Sequence, residues 1–110
     1  MRPISVGINP TAGVTTTVYT VPTGYYALFN LLYVHNTSSN NKHLTVQWYD
    51  ASAAATIDIL TQVPYTSKAY TQFDNAYVVF EEGDQLRVTP EAASAFAIIA
   101  TFEQIGLTRQ

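Results

Sequence analysis

The sequence predicts an all-β fold, an antiparallel two-sheet β-sandwich with jelly-roll-like connections. Apolar residues mostly recur at a period of two, in short runs, and Gly, Pro, Asn and Ser bound these runs. No stretch keeps the 3.6-residue period of a helix. Without helices to cross between parallel strands, the strands are expected to form two antiparallel sheets packed face to face.

Nine strands are expected along the chain. They are Ile4–Asn9, Val14–Val21, Tyr25–Asn36, His43–Asp50, Thr56–Val63, Tyr70–Phe73, Ala76–Glu82, Gln85–Thr89 and Phe96–Ile105. Alternation predicts which side chains of the regular strands point inward. These are Leu44, Val46 and Trp48, then Leu86 and Val88, then Phe96, Ile98, Ala100 and Phe102.

Turn residues separate the strands. Pro22-Thr23-Gly24 predicts a turn, Glu82-Gly83-Asp84 predicts a tight hairpin, and residues 36–41 predict a polar loop. The alanine-rich stretches Ala51–Ala55 and Pro90–Ala95 favour helix mildly but are too short to hold one. Each is therefore expected to form a turn, or one helical turn at most.

Two strands depart from the alternating pattern. In Tyr25–Asn36 one face carries Ala27, Phe29, Leu31 and Tyr33, and the other carries Leu28, Leu32 and Val34. The run from Tyr77 to Phe80 is apolar on both faces as well. An antiparallel sandwich normally exposes one face of each sheet to water, so these strands need a further cover. That cover is either a loop of the same chain or a neighbouring subunit.

Composition restricts the class of protein. The 110 residues suit a single domain, 1–110, with residues 1–10 as a possible N-terminal arm and 105–110 as a C-terminal tail. Charged residues make up 12% of the chain, against about 25% in a typical domain, and cysteine is absent. The net charge of −3 and the lack of a Lys/Arg cluster argue against nucleic-acid binding. No apolar run approaches the length of a membrane span or a secretory signal, which predicts a protein made in a cytoplasm.

Chemically active residues are few, and the sequence predicts no enzyme activity, no cofactor and no catalytic or metal site. Four groups were weighed: His35 with His43 as a metal pair, Glu81-Glu82-Gly83-Asp84 as a calcium loop, Asp50 with Asp58 as a glycosidase pair, and Asn36-Thr37-Ser38 as a glycosylation acceptor. The histidines have no positioned third ligand, and the acidic turn lacks the alternating Asp/Asn ladder of a calcium loop. Nothing indicates an apolar pocket that would raise the pKa of either aspartate, and no secretory signal accompanies the acceptor. Each group is therefore interpreted as ordinary loop or strand-end structure.

Aromatic side chains offer one binding alternative. The candidates for stacking on sugar rings are Tyr19, Tyr25, Tyr26, Tyr33, Trp48, Tyr49, Tyr65, Tyr70 and Tyr77. A glycan-binding module would present such rings together on one exposed sheet. The favoured interpretation places Trp48 and several tyrosines in the core, with their hydroxyls at its rim.

Four segments carry a resemblance to a known class of protein. They are Val18-Tyr19-Thr20-Val21-Pro22-Thr23-Gly24, Leu31-Leu32-Tyr33-Val34-His35-Asn36-Thr37, Leu44-Thr45-Val46-Gln47-Trp48-Tyr49-Asp50 and Val79-Phe80-Glu81-Glu82-Gly83-Asp84-Gln85-Leu86-Arg87-Val88. Together they resemble the small jelly-roll or sandwich virion proteins of tailed bacteriophages, of the capsid decoration (cement) type. The resemblance covers residues 14–102 and implies a structural role in the virion without catalytic residues.

This resemblance implies that the major capsid protein or another virion protein is the partner. A phage tail or adaptor component and a glycan-binding module remain the alternatives. The candidate interface residues are Arg2, Pro3, Ile4, Phe29, Leu31, Tyr33, Val78 and Phe80. Because capsids present three-fold positions, a homotrimer is expected, with a homodimer as second choice.

Overall fold

The computed structural model describes residues 2–106, and for residues 74–77 it describes the backbone only. Eight strands are present: β1 (Arg2–Ile8), β2 (Thr16–Thr20), β3 (Tyr25–Asn36), β4 (Lys42–Asp50), β5 (Ala55–Tyr65), β6 (Tyr70–Phe80), β7 (Gln85–Pro90) and β8 (Phe96–Gly106). Sheet I has the order β1-β8-β3-β6, and sheet II has the order β2-β7-β4-β5. The predicted all-β, antiparallel two-sheet sandwich is confirmed.

The strand pairing follows the jelly-roll pattern of one long hairpin rolled into two sheets. β4 pairs with β5, β3 with β6, β2 with β7 and β1 with β8, all antiparallel. Two further pairings, β3 with β8 and β4 with β7, complete the sheets. Among successive strands, only β4 and β5 therefore form a hairpin, and the chain otherwise changes sheet at every connection.

The core lies between the two sheets and is lined by apolar residues from both. Its largest fully buried side chains are Phe29, Phe80, Phe96, Phe102, Leu32, Leu44, Leu86, Ile98, Val21, Val34, Val46 and Val88. Phe102 stacks on Tyr19 and on Phe29, with ring centroids 4.2 Å and 5.1 Å apart. The predicted inward positions of β4, β7 and β8 are confirmed, with Trp48 half-buried at the edge of this core.

A β-bulge resolves the two-faced pattern of β3. The register shifts between Phe29 and Leu31 against both neighbouring strands, and against β8 Asn30 is the extra residue. A bulge of one residue reverses which side chains face inward. Ala27 and Phe29 point into the core before it, and Leu32, Val34 and Asn36 do so after it. The expectation that Phe29, Leu31 and Tyr33 share one face is therefore wrong.

The two strands predicted at Tyr70–Phe73 and Ala76–Glu82 are one strand, β6. Asp74 pairs with Leu31 and Val78 pairs with Phe29, so three residues of β6 lie opposite the single residue Asn30 of β3. Residues 74 and 75, which separate the two predicted strands, lie at this irregularity in the pairing. A bulge and a turn use similar residues, which explains the error.

The turn at Glu82-Gly83-Asp84 joins the two sheets, so the expectation that it closes a hairpin is wrong. Gly83 has a φ of 87°, a left-handed conformation that glycine adopts without strain. The buried Asp84 carboxylate accepts hydrogen bonds from Trp48 Nε1 (3.1 Å), from the Ala51 amide (2.9 Å) and from the Glu81 amide (2.9 Å). These bonds fix the turn against the β4–β5 connection.

The alanine-rich stretches form turns, and the described residues contain no helix. Accordingly, no helix in this part of the chain has the length and hydropathy to cross a membrane. The segment expected as an N-terminal arm is β1, which pairs with β8 of its own chain over seven residues. Of the predicted C-terminal tail, residues 105 and 106 belong to β8, and residues 107–110 lie outside the described part.

Candidate interaction surface

The outer face of sheet I is apolar and aromatic. The strand registers place Leu28, Leu31 and Tyr33 of β3 on this face, together with Val79 and Tyr70 of β6 and Ile99 of β8. We call these six residues the apolar face. Tyr70 is 66% exposed, Val79 49% and Ile99 41%, and the strand registers gather these three side chains on one face of the sheet. The face is therefore suited to contact with another molecule.

Registers also define rows of side chains across the apolar face. One row runs from Gly7 through Ile99 and Tyr33 to Gln72, and the next runs from Ala97 through His35 to Tyr70. Tyr33 and Tyr70 stack on each other, with ring centroids 5.9 Å apart and planes 25° apart. This aromatic pair stands on the β3–β6 side of the face.

On the β1–β8 side of sheet I, the same two rows end in residues with little or no side chain. Gly7 has no side chain and Ala97 has only a methyl group, and they border an open groove of about 540 Å³ that Asn9 and Ile99 also line. A Cβ added at Gly7 would meet Ile99 Cγ1 at 3.8 Å, which is ordinary contact. Close packing therefore does not require glycine at this position, and a larger side chain there would fill the groove.

Two hydrogen bonds between described side chains lie on the outer face of sheet I. Ser5 and Thr101 share one through their hydroxyls at 2.9 Å. Asn30, at the bulge, donates to Glu103 Oε1 at 3.0 Å, so this carboxylate has a partner. These two polar pairs interrupt the apolar face, because Glu103 lies beside Leu28 and Thr101 lies beside Leu31.

A second concavity lies at one end of the sandwich. Tyr25, Tyr26, Val79, Glu81 and Glu82 line a volume of about 430 Å³. The Glu82 carboxylate accepts a hydrogen bond from the Gly24 amide, which ties the β2–β3 turn to the β6–β7 turn. The Glu82 side chain therefore links two turns at this end of the sandwich.

The outer face of sheet II differs in character and is called the polar face below. It carries Thr15, Thr17, Thr45, Gln47, Tyr49, Asp58, Gln85, Arg87 and Thr89. Gln47 donates to Asp58 at 2.9 Å, and the Arg87 guanidinium lies 4.2 Å from the centroid of the Tyr49 ring. Several polar side chains of this face therefore have interaction partners within the chain.

The predicted interface residues divide between the surface and the core. Leu31 and Tyr33 lie on the apolar face, half-buried, and Arg2 and Pro3 are exposed in the edge strand β1. Ile4 and Val78 pack against the core. Phe29 is 1% exposed and Phe80 is 0% exposed, so the expectation that these two phenylalanines present a surface to a partner is wrong. The bulge in β3 and the inward phase of β6 explain their burial.

Three exposed members of the apolar face were not among the predicted interface residues: Tyr70, Val79 and Ile99. Ile98 and Ile99 are adjacent in sequence, so alternation alone required one of them to point outward. Val78 and Val79 are adjacent as well, so one of these two side chains also had to point outward. Gly7 carried no signal, because the groove arises from its position beside Ile99 across two strands.

The structure separates the two histidines that were considered as a metal pair. His35 lies on the outer face of sheet I, and His43 lies on the outer face of sheet II beside Glu91, with His43 Nε2 3.6 Å from the carboxylate. β3 and β4 bracket the loop, as expected, but belong to different sheets. The described residues contain no cluster of three or more metal-ligating side chains.

The carboxylate and asparagine candidates have structural roles. Hydrogen bonds from Gln47 and Thr61 lower the pKa of Asp58, whereas a general acid requires a raised pKa. Asp84, in the segment weighed as a calcium loop, accepts the three hydrogen bonds described above. Asn36 is fully buried, and its amide nitrogen donates to Asn40, Tyr65 and Thr66 carbonyls, so the side chain organises the loop.

No protein-family model matches the chain, and no curated protein matches its sequence. Solved structures do match its fold. A structure of Bacillus endospore appendages, described as disulfide-linked pili, has a TM-score of 0.58 at 12% identity and covers 96% of this chain and 86% of its own. The present chain has no cysteine with which to form such links.

Two virus structures give similar scores. The infectious bursal disease virus Gt strain has a TM-score of 0.53 at 11% identity, covering 92% of this chain and 31% of its own. The T13 particle of the same virus gives 0.52 at 10% identity, covering 96% and 36%. The present chain thus spans about one third of these viral chains. At such identities the likeness shows a shared sandwich fold.

Proposed function

We propose that this protein is a non-enzymatic structural component of a virion, and that it decorates the assembled head of a tailed bacteriophage as a cement protein. The apolar face carries the proposal, because it is the kind of surface that a protein retains for contact with other proteins. The fold shared with chains of virus particles and the resemblance of residues 14–102 to phage decoration proteins support it. The major capsid protein would be its partner.

The proposed mechanism is stabilisation by mass action. A protein that binds the assembled capsid lattice, but not its separated subunits, stabilises the lattice by its binding free energy. Low charge suits this role, since like charges on neighbouring copies would repel one another. The protein would be made in the host cytoplasm and would reside in the virion.

Particles that lack this protein provide the test. Purified protein is added to such particles, which are then sedimented and heated until they release their DNA. We expect saturable co-sedimentation and a higher temperature of DNA release than in particles without added protein. Immunogold labelling of intact particles gives the location: label on heads supports decoration, and label on tails supports the tail or adaptor alternative. Absence from particles would refute a virion role.

A glycan-binding module is the second candidate, and the stacked pair Tyr33 and Tyr70 favours it, because exposed rings on a flat sheet can stack on sugars. An array of bacterial surface polysaccharides tests this alternative. We expect no ligand. A hit that is abolished by Tyr70→Ala but retained by Tyr25→Ala would replace the decoration proposal, since Tyr25 is exposed outside the apolar face.

Oligomer number is a separate question from location. The homotrimer predicted from the sequence relied on matching a capsid three-fold axis. Five residues of its predicted interface come from β3 and β6, namely Phe29, Leu31, Tyr33, Val78 and Phe80. Of these, only Leu31 and Tyr33 lie on the apolar face. The trimer stays a prediction. Sedimentation velocity distinguishes it from a dimer.

A further inference from the structure

We infer that the apolar face is the contact between two copies of this chain, related by a two-fold axis that runs parallel to the strands. The aromatic pair Tyr33 and Tyr70 of each copy would occupy the groove beside Gly7 and Ala97 of the other. This inference concerns the free protein, in which a second copy would cover the face that the proposed function assigns to the capsid, and binding to the capsid would displace that copy.

The first argument is self-complementarity. A two-fold axis parallel to the strands places each row of one copy opposite the same row of the other copy, with the order of the strands reversed. β1 then faces β6 of the other copy, and β8 faces β3. The stacked tyrosines on the β3–β6 side of one copy therefore meet the groove that Gly7 and Ala97 border on the β1–β8 side of the other copy. The same contact is made twice, as a closed two-fold interface requires.

The second argument is area. Four strands spaced about 4.8 Å apart, with about ten residues each rising about 3.3 Å, give the whole outer face of sheet I roughly 600 Å². Two such faces together bury about 1,200 Å², which is the lower limit of a specific protein–protein interface. The outer face of sheet I, with the apolar face and the polar residues around it, is thus large enough for a specific dimer of modest affinity.

The third argument is charge. Two identical faces can pack only if they carry little charge, because equal charges would meet near the axis. The six residues of the apolar face carry no charge, and the registers place His35 and the carboxylate of Glu103 on the same outer face. The nearby Glu103 already accepts a hydrogen bond from Asn30. The polar face of sheet II, with Arg87 and Asp58, does not meet this condition.

Sedimentation velocity across about 10 µM to 1 mM tests the dimer, a range chosen for a weak interface. We expect a monomer–dimer equilibrium. Tyr70→Ser should raise the dissociation constant by at least about tenfold, as the loss of an aromatic anchor does. The matched control Tyr25→Ser removes an exposed tyrosine outside the apolar face and should leave the constant unchanged.

Filling the groove is the complementary change. Gly7→Val should also weaken the dimer, because its side chain would occupy the space for the aromatic pair. It should leave the fold intact, since a Cβ at Gly7 has only ordinary contacts. Gly106→Val is the control, because the corresponding Cβ would meet Tyr25 at 3.8 Å at the far end of β8. Circular dichroism and urea unfolding of each variant verify that it is folded.

Cysteine cross-linking tests the orientation directly, because the natural chain contains no cysteine. Gly7 and Gln72 end the same row on opposite sides of sheet I, so the two-fold axis places Gly7 of one copy against Gln72 of the other. A mixture of Gly7→Cys and Gln72→Cys proteins should form a disulfide faster than either protein alone. Faster cross-linking within a single variant would overturn the proposed axis.

Three results would overturn the inference. They are a strictly monomeric natural protein throughout this range, a trimer at any concentration, and equal self-association of Tyr70→Ser and the natural protein. Particle binding by a protein that stays monomeric would refute the dimer while leaving the proposed function in place. A dimer that binds no particle would do the reverse.

Discussion

The two outer faces of the sandwich belong to sheets of equal size but are built from different side chains. On the polar face of sheet II, side chains bond to one another: Asp58 accepts from Gln47 and Thr61, and Arg87 covers the Tyr49 ring while donating to Gln85. On the apolar face of sheet I, Tyr70, Val79 and Ile99 are exposed without such partners. Only the second arrangement gains free energy when another protein surface covers it.

This difference shows that low charge has two separate uses in one small domain. On sheet II, threonine and glutamine replace charged residues and hydrogen-bond across strands, which keeps a neutral face compatible with water. On sheet I, the lack of charge accompanies exposed apolar area. The net composition, 12% charged residues, does not distinguish these uses, whereas the strand registers do.

The largest expected effect tests which face each side chain of β3 joins. Phe29→Ala should destabilise the protein by about 3–5 kcal/mol, because it leaves a cavity among Phe80 and Phe102. Leu31→Ala should cost about 1 kcal/mol or less, because Leu31 is half-buried on the apolar face. Urea unfolding measures both. Equal losses for the two variants would mean that the bulge at Asn30 does not reverse the strand.

A smaller effect tests the same distinction in β4. Trp48→Ala should cost about 3 kcal/mol, at the low end for a tryptophan because the ring is half-buried and packs against Phe80. Its neighbour Tyr49→Ala should cost about 1 kcal/mol or less, chiefly the contact with Arg87. Thermal or urea unfolding measures both losses. A loss below about 1 kcal/mol for Trp48→Ala would place the indole on the surface, which is the arrangement that sugar stacking needs.

Trp48→Phe refines this prediction. It retains an aromatic ring but removes the Nε1 hydrogen bond to the buried Asp84 carboxylate. Losing one donor to a buried carboxylate costs about 1–3 kcal/mol. We expect Trp48→Phe to fall between the natural protein and Trp48→Ala in urea unfolding. An unchanged free energy of unfolding would show that the hydrogen bonds from the Ala51 and Glu81 amides are enough to stabilise the buried Asp84 carboxylate.

The sequence allowed the fold class, the positions of the turns and the inward faces of β4, β7 and β8 to be predicted, because apolar residues recur at every second position of these strands. It did not allow the faces of β3 and β6 to be predicted. Both are apolar on both sides, and the bulge that sets their phase is a property of three paired strands. As a result, Phe29 and Phe80 were assigned to a surface that Tyr70, Val79 and Ile99 occupy.

The smallest effect concerns Asp58 on the polar face. Hydrogen bonds from Gln47 and Thr61 lower its pKa in the folded protein, so its ionised form adds stability above the unfolded-state pKa of about 3.9. That contribution is lost as pH falls through the folded-state pKa. NMR titration should show a lowered Asp58 pKa that returns toward the ordinary value in Gln47→Ala. An unchanged pKa in that variant would contradict the assignment of the main cause to Gln47.

The central claim is that the two outer faces differ in their need for a partner, and concentration-dependent NMR tests it most directly. Amide spectra of the natural protein are recorded between about 10 µM and 1 mM, a range suited to a weak interface. We predict shifts that concentrate at Gly7, Leu31, Tyr33 and Ile99, with Thr45, Gln47 and Arg87 unaffected. Shifts centred on the polar face, or none on either face over this range, would contradict the account.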